Sequence, residues 1–191
     1  MNKNLTALIL AGGKAQRMGG LDKGQQLYKG RPLVEHVLGV TKSLVDSVVI
    51  STNQNFDFYS ALADDVIEDV DPWISIGPLA GLYALVHEYT DLRGHVLLLP
   101  CDTPCISKEA LMALISSTES NESKVSCLKT ESGWQPLHAV IPVEKLQIHL
   151  PEYLEHAQHY GVMGFYHHLG CLPINWSNQT ELLNINRLDE L

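Results

Sequence analysis

The sequence predicts an α/β fold, a mostly parallel sheet with helices on both faces. Three observations predict it. Short apolar runs of strand length alternate with longer stretches of helical periodicity, the order that feeds a parallel sheet through right-handed crossovers. Helix-start signals stand where helical stretches open: Pro32 and Pro78 suit a first turn, and Ser107 suits an N-cap. A chain of 191 residues, 45% hydrophobic and 18% charged, is long and apolar enough for one domain with a full core.

In chain order, Leu5–Leu10 reads as a buried strand. A helix is expected over 32–44, where Leu33, Val37, Val40 and Leu44 fall near helical spacing. A valine-rich strand at Ser47–Ser51 and a short strand at Asp65–Ile67 follow. A helix over 78–89 places Leu82, Leu85 and Val86 on one face. Residues 95–99 form a strand ended by Pro100, and 107–117 a helix with Ala110, Leu111, Leu114 and Ile115 inward. Strands are expected at 124–128 and 137–141. A helical stretch over 143–158, broken near Pro151, a short helix at 161–169 and a last strand at 172–175 complete the chain.

The formal net charge of −9 argues against a nucleic-acid binder, which needs a basic surface to displace counterions. No apolar run reaches the roughly 18 residues that span a bilayer, so no membrane partner is expected. The start lacks the long apolar stretch and cleavage site of a signal peptide, and the cytoplasm is the expected compartment. Cys101, Cys105, Cys127 and Cys171 show no paired metal spacing and read as reduced, with Cys101 and Cys105 as small buried hydrophobes.

Ligands of parallel sheets sit beyond the carboxyl ends of the strands, which directs attention to the loops after Leu10, Ser51, Ile67 and Leu99. The first of these is Ala11-Gly12-Gly13-Lys14. Adjacent glycines admit a phosphate close to backbone N–H groups, and Lys14, Arg17 and Lys23 add three cations within ten residues. N–H donors plus local cations are what a triphosphate and its leaving pyrophosphate need. Neither a Walker loop nor GxGxxG is present. Taken alone, Gly12-Gly13 reads first as an ordinary strand-to-helix turn with solvated cations.

The full string from Leu10 to Lys23 resembles the LAGGxSxRMGxDK signature of the molybdenum cofactor guanylyltransferase (MobA) family. The similarity continues through Val66-Ile67-Glu68-Asp69, Gly77-Pro78-Leu79-Ala80-Gly81, Pro100-Cys101-Asp102-Thr103-Pro104 and Gln135-Pro136-Leu137. It ends at Asn184-Ile185-Asn186, where Arg187-Leu188 replaces the family's Thr-Pro. The resemblance implies a three-layer α/β/α sandwich of the Rossmann-like nucleotidyltransferase kind, formed by residues 1–191 as one domain. Its N-terminal part would bind GTP and its C-terminal part molybdopterin. It implies an enzyme that transfers GMP from GTP to molybdenum-bound molybdopterin with Mg2+, releasing pyrophosphate. It also implies contact with cofactor-delivering and molybdoenzyme-maturation proteins.

The same resemblance assigns roles. Leu10, Ala11, Gly12 and Gly13 would hold the nucleotide through their backbones, and Lys23, helped by Arg17, would neutralise triphosphate charge. Asp69 would lie beside the guanosine, and Asp102 would bind magnesium. Ser51 stands where many relatives carry asparagine. On local sequence, Asp102 serves equally as a metal ligand at a strand end or as an Asx-turn ahead of Pro104. Asp69 and Asp71 read as solvated turn residues before Pro72, and Asp22 as a group that orients Lys23. Gly77-Pro78 opens a helix whose N-terminus can face guanine O6 or an anion. Gln135-Pro136 is the resemblance's candidate for the pterin. His149, His156, His159 and His167-His168 read as a solvated face.

Two further readings stay open at this point. One is a cytidylyltransferase of molybdopterin or another small acceptor, for which Gly12-Gly13 and the Cys-Asp-Thr-Pro string are atypical. The other is a non-catalytic nucleotide-binding protein, which would be expected to lose Lys23 or Asp102.

Overall fold

A computed structural model describes residues 4–12, 22–121 and 123–185. Strands β1 (Leu5–Leu10), β4 (Ser47–Ser51), β5 (Asp65–Ile67), β6 (His95–Pro100), β7 (Val125–Thr130), β8 (Gly133–Pro142) and β9 (Cys171–Asn175) form a seven-stranded sheet in the order β5-β4-β1-β6-β8-β7-β9. Strands β2 (Leu27–Tyr28) and β3 (Arg31–Pro32) pair separately as a small antiparallel hairpin. Within the large sheet every neighbouring pair is parallel except those made by β8, which runs antiparallel to both β6 and β7.

Alternation along the strands divides the core into two layers, one on each face of the sheet. Ala7 and Ile9 of β1 and Leu97 and Leu99 of β6 share one cluster with helices α1 (Leu33–Thr41) and α4 (Lys108–Ser116). Leu8 of β1 and Val96 and Leu98 of β6 share the other with helices α3 (Pro78–Glu88), α5 (Val143–His156) and α6 (Val162–Leu169). Two apolar faces on each central strand explain its near-continuous hydrophobic run, and the result is the expected three-layer α/β/α arrangement. Ser107 caps α4 by accepting from the Ala110 N–H at 3.2 Å, as the sequence indicates. No helix among the described residues is long and apolar enough to cross a membrane.

The structure departs from the sequence reading in four places. Helix α1 stops at Thr41 and begins after Pro32, which belongs to the β2–β3 hairpin. That hairpin and the five-residue helix α2 (Phe56–Ser60) are too short to leave a periodic signal. Strand β8 starts at Gly133 rather than near 137, because it pairs back on β7 through a tight turn. Helix α5 runs unbroken through Pro151. An interior proline costs about 3 kcal/mol, but Leu146, Leu150 and Leu154 lie at helical spacing with no exposure. Burial stabilises by roughly 1.5–3 kcal/mol per side chain and outweighs the lost hydrogen bond.

Candidate active site

The order of the strands reverses at β1. From β1 the chain crosses to β4 and then β5 on one side, then returns to add β6 on the other. The connecting helices α1 and α3 belong to opposite layers. A crevice opens at such a reversal beyond the carboxyl ends of the strands. Here three chain segments are stitched together by their backbones. The Ala11 and Gly12 N–H groups both donate to the Ser51 carbonyl, at 2.9 and 3.0 Å, and the Cys101 N–H donates to the Leu10 carbonyl at 3.1 Å. The first N–H groups of the glycine loop are therefore engaged within the protein. A nucleotide held by this stretch of backbone would meet the carbonyl oxygens of Ala11 and Gly12 rather than these two N–H groups. Among the described residues, a methyl placed on Gly12 would meet its nearest neighbours, on the β4 side, at an ordinary 3.7 Å. Gly13 and Arg17, assigned to the nucleotide by sequence, lie outside the described residues, as do Lys14 and Asn186.

The segment re-enters at Asp22, a buried carboxylate held from several sides. Its Oδ1 accepts from the Gly24 N–H at 3.0 Å and the Tyr59 hydroxyl at 2.5 Å; its Oδ2 accepts from Asn55 Nδ2 at 2.7 Å. Burial, with the Asp22 carboxylate behind it, pushes the Tyr59 phenol above its usual range. This anchor fixes where the next residue points. Lys23 Nζ forms an ion pair with Asp102 Oδ2, although 79 residues separate them. Asp102 sits just past Pro100, the last residue of β6, and is itself buried. Its Oδ1 is buried and has no hydrogen-bond partner among the described residues.

That oxygen is the observation on which a cation can be tested. Magnesium takes oxygen ligands and commonly uses one or two carboxylates, with water and substrate phosphates completing its shell. Asp102 supplies one such carboxylate at the crevice, with an oxygen that no described residue hydrogen-bonds, so the residues fit the ion. Among the described residues no three His, Cys, Asp or Glu side chains converge, and the remaining ligands would have to come from substrate and solvent.

Ser51 and Asp69 line the β4 and β5 side. Ser51 is buried, and helix α3 comes so close that a methyl on Gly81 would fall 2.7 Å from Ser51 Oγ and 2.8 Å from Leu10 Cδ2. Gly77, which precedes α3, adopts φ 98°, ψ −155°, a conformation open to glycine and strained for other residues. Asp69 makes a reciprocal pair with Asn53. Asn53 Nδ2 donates to Asp69 Oδ2 at 2.8 Å, and the Asp69 N–H donates to Asn53 Oδ1 at 2.9 Å. The Ser75 N–H donates to Asp69 Oδ2 at 2.9 Å. Asp69 thus braces the crevice rim, and Asn53, two residues past Ser51, supplies an amide that the sequence reading did not select.

On the β6 side, Gln135-Pro136 lies in a bulge. Cys127 of β7 faces Ala139 of β8 while the next residue, Leu128, faces Gln135, so Pro136, Leu137 and His138 are left unpaired with β7. Proline cannot donate to a sheet ladder, which favours a bulge at this point. Since β8 pairs Ala139 with Leu98 and runs antiparallel to β6, the bulge stands at the same end of the sheet as Asp102. His138, 2% exposed, shares a 3.1 Å hydrogen bond through Nε2 with Thr103 Oγ1, and its Nδ1 has no partner among the described residues. Burial lowers the His138 pKa to about 4. The Ile185 N–H donates to the Asp102 carbonyl at 2.9 Å, bringing the Asn184-Ile185 segment onto the same turn.

The structure therefore gathers Leu10, Ala11, Gly12, Lys23, Ser51, Asp69 and Asp102 at one sheet edge. Cys101 is buried as expected; Cys105 is exposed, 3.6 Å from the Tyr28 hydroxyl, because it lies on the outer side of the turn. Among the histidines near the C-terminal helices, His156, His159, His167 and His168 are exposed and His149 is half-buried against the His168 ring, in keeping with a solvated face.

Comparison with known proteins gives the chain's family and agrees with its fold. Residues 7–170 match the family model described as the MobA-like NTP transferase domain. A molybdenum cofactor guanylyltransferase from Pseudomonas syringae is 39% identical over 138 residues, 71% of this chain and 66% of the relative. One from Pseudomonas putida is 40% identical over 144 residues, 74% of this chain and 72% of the relative. Among solved structures, molybdopterin-guanine dinucleotide biosynthesis protein A from Archaeoglobus fulgidus superposes with a TM-score of 0.76 at 18% identity, covering 97% of this chain and 94% of that one. The 4-diphosphocytidyl-2C-methyl-D-erythritol synthase of Anaerococcus prevotii superposes with a TM-score of 0.78 at 12% identity, covering 99% and 93%. At these identities the two structures speak to the fold.

Proposed function

The chain belongs to the MobA-like NTP transferase family, and from that premise we propose that it transfers GMP from GTP to the molybdenum-molybdopterin cofactor, forming the guanine dinucleotide and pyrophosphate in the cytoplasm. The carrying observation is the Lys23–Asp102 pair at the strand-order reversal, with Asp102 Oδ1 lacking a partner among the described residues. A lysine and a carboxylate with an available oxygen are the two charges that a metal-bound triphosphate requires at one place. In this reading residues 1–191 act as one nucleotidyltransferase domain, the Leu10–Asp102 side taking GTP and the later segments the acceptor.

Each residue then has a task. The Leu10-Ala11-Gly12 backbone and Ser51 lie where the nucleoside can approach the strand ends closely. Asp69, fixed by Asn53, sits at the rim to receive the guanosine. Lys23, aimed by the Asp22 anchor, balances charge that collects on the leaving pyrophosphate. Asp102 would hold Mg2+, which when bound offsets charge on the α-phosphate. The attacking group is a phosphate of the acceptor, already anionic near neutral pH, so no side chain has to remove a proton from it. Rate then comes from positioning and charge balance.

The test is an assay of pyrophosphate release with Mg2+, molybdenum-loaded molybdopterin and each of the four nucleoside triphosphates. Turnover with GTP is expected. Preference for CTP would replace the guanylyl by a cytidylyl transfer, and absence of turnover with every triphosphate would overturn the enzymatic reading.

A further inference from the structure

Among the described residues, two buried side-chain polar atoms lack a hydrogen-bond partner, Asp102 Oδ1 and His138 Nδ1. They stand at the two ends of one short chain of contacts: Asp102 is bonded in sequence to Thr103, and Thr103 Oγ1 shares a 3.1 Å hydrogen bond with His138 Nε2. Native interiors satisfy nearly all such atoms, and exceptions that gather in one place mark a site rather than a packing accident. The pair is also costly for what it does structurally. Thr103 has no exposed surface and His138 has 2%. Apolar residues of similar volume at both positions would leave nothing to satisfy, and such replacement of both partners is often neutral or stabilising. Stability therefore does not account for a threonine and a histidine here. Location does: Thr103 ends the turn that carries Asp102, and His138 ends the β8 bulge that opens with Gln135-Pro136.

We propose that His138 is a positioning residue of the nucleotide site, acting through Thr103 to hold the Asp102 turn in the orientation that receives Mg2+ and GTP. This rests on the function proposed above. The imidazole reaches the turn from the one antiparallel strand of the sheet, so it ties the carboxylate to a second, independent element. Without that tie the Asp102 turn keeps its hold on β1 and on Ile185 through backbone bonds, and Lys23 can still reach it, but its aim is no longer set from the β8 side.

The test is calorimetric titration of the full chain with Mg2+·GTP, no acceptor present, for the wild type and for His138→Leu, Thr103→Val, the double variant, Thr103→Ser and His138→Gln, with thermal melting of each. His138→Leu and Thr103→Val should each weaken Mg2+·GTP binding roughly 10–100-fold, the range found for residues that orient a metal ligand. The double variant should be no weaker than either single one, because one interaction is removed in all three. Thr103→Ser and His138→Gln keep a hydrogen-bonding group and should bind close to wild type. Binding at wild-type strength by His138→Leu or Thr103→Val would overturn the proposal, as would additive losses in the double variant. If His138→Leu does not fold, Thr103→Val, which removes one hydroxyl at constant size, carries the decision alone. Failure of the wild type itself to bind Mg2+·GTP would instead overturn the proposed function, so the two failures are separable.

Discussion

Asp22 and Asp102 meet at the same lysine, one as its neighbour in sequence and the other as its ion-pair partner. They are almost equally buried, at 7% and 8% exposure. They differ in how they are satisfied. Both Asp22 oxygens receive donors from Gly24, Tyr59 and Asn55. Asp102 has Lys23 on one oxygen and, among the described residues, no partner on the other. A carboxylate saturated by its own protein is a structural anchor; one left half-satisfied at a sheet edge is available for chemistry. Neither residue type nor burial separates the two, whereas the count of partners does.

Substituting each in turn should pull activity and stability apart. Asp102→Ala is expected to lower kcat by about 100-fold to 1,000-fold, in line with the loss of one well-placed electrostatic group. Its melting temperature should change little, since the substitution also removes an unsatisfied buried oxygen. Pyrophosphate release and a thermal melt on the same preparation check both halves. A fully active variant would move the cation elsewhere. Asp22→Ala should do the reverse. It strands the buried Tyr59 hydroxyl and several donors, which should cost about 3–5 kcal/mol of stability in urea unfolding. Equal stability losses in the two variants would erase the distinction between anchor and reactive carboxylate.

The contrast also explains what could be read from the sequence. The central strands and the two-sided core are legible in the sequence because strand periodicity is local, and motif order brings Lys23 and Asp102 forward as candidates, which the structure pairs. The function of Asp22 was only half legible: that it orients Lys23 could be guessed, but its donors Tyr59 and Asn55 come from a short helix and its cap, which carry no periodic signal. The Thr103–His138 pair is not legible at all, because it depends on a bulge that leaves three residues of β8 unpaired against a single step of β7. Pro136 inside a strand was the available hint. The partners of the first N–H groups of the glycine loop are hidden in the sequence for a related reason. Their acceptor, the Ser51 carbonyl, is forty residues downstream of Ala11 and visible only once β4 lies beside β1.

His138 extends the comparison to pH. Burial lowers its pKa to about 4 from an ordinary 6.5, so the folded chain binds this proton less readily than the unfolded chain. The stability it protects is fully present above pH 6.5 and is lost as the pH falls toward 4, with a total of about 3 kcal/mol. Urea unfolding at pH 7, 5 and 4 should show that slope in the wild type and a shallower one in His138→Gln, which has no proton to take up. Identical slopes would mean that His138 is not kept neutral by the fold. Neither aspartate variant should alter this part of the profile, which separates the His138 contribution from theirs.

The smallest effect is expected at Gly81, where the crevice wall meets helix α3. Two terms oppose each other in Gly81→Ala. Alanine favours a helix over glycine by about 1 kcal/mol. Its methyl, however, would lie 2.7 Å from Ser51 Oγ and 2.8 Å from Leu10 Cδ2, and overpacking of this kind costs about 1–3 kcal/mol. The contacts come from the ends of β4 and β1, strands pinned on both sides by the sheet, so the helix has to give way rather than the strands. The net loss of stability should be about 1 kcal/mol, small beside the Asp22 effect. The displacement falls on the wall next to Leu10 and Ser51, so under the proposed function GTP affinity should weaken severalfold while the acceptor KM holds, because the proposed acceptor segment at Gln135-Pro136 belongs to β8. A stabilised variant with unchanged GTP affinity would show that α3 can shift freely, and would remove the close helix-to-strand contact as the reason for glycine at this position.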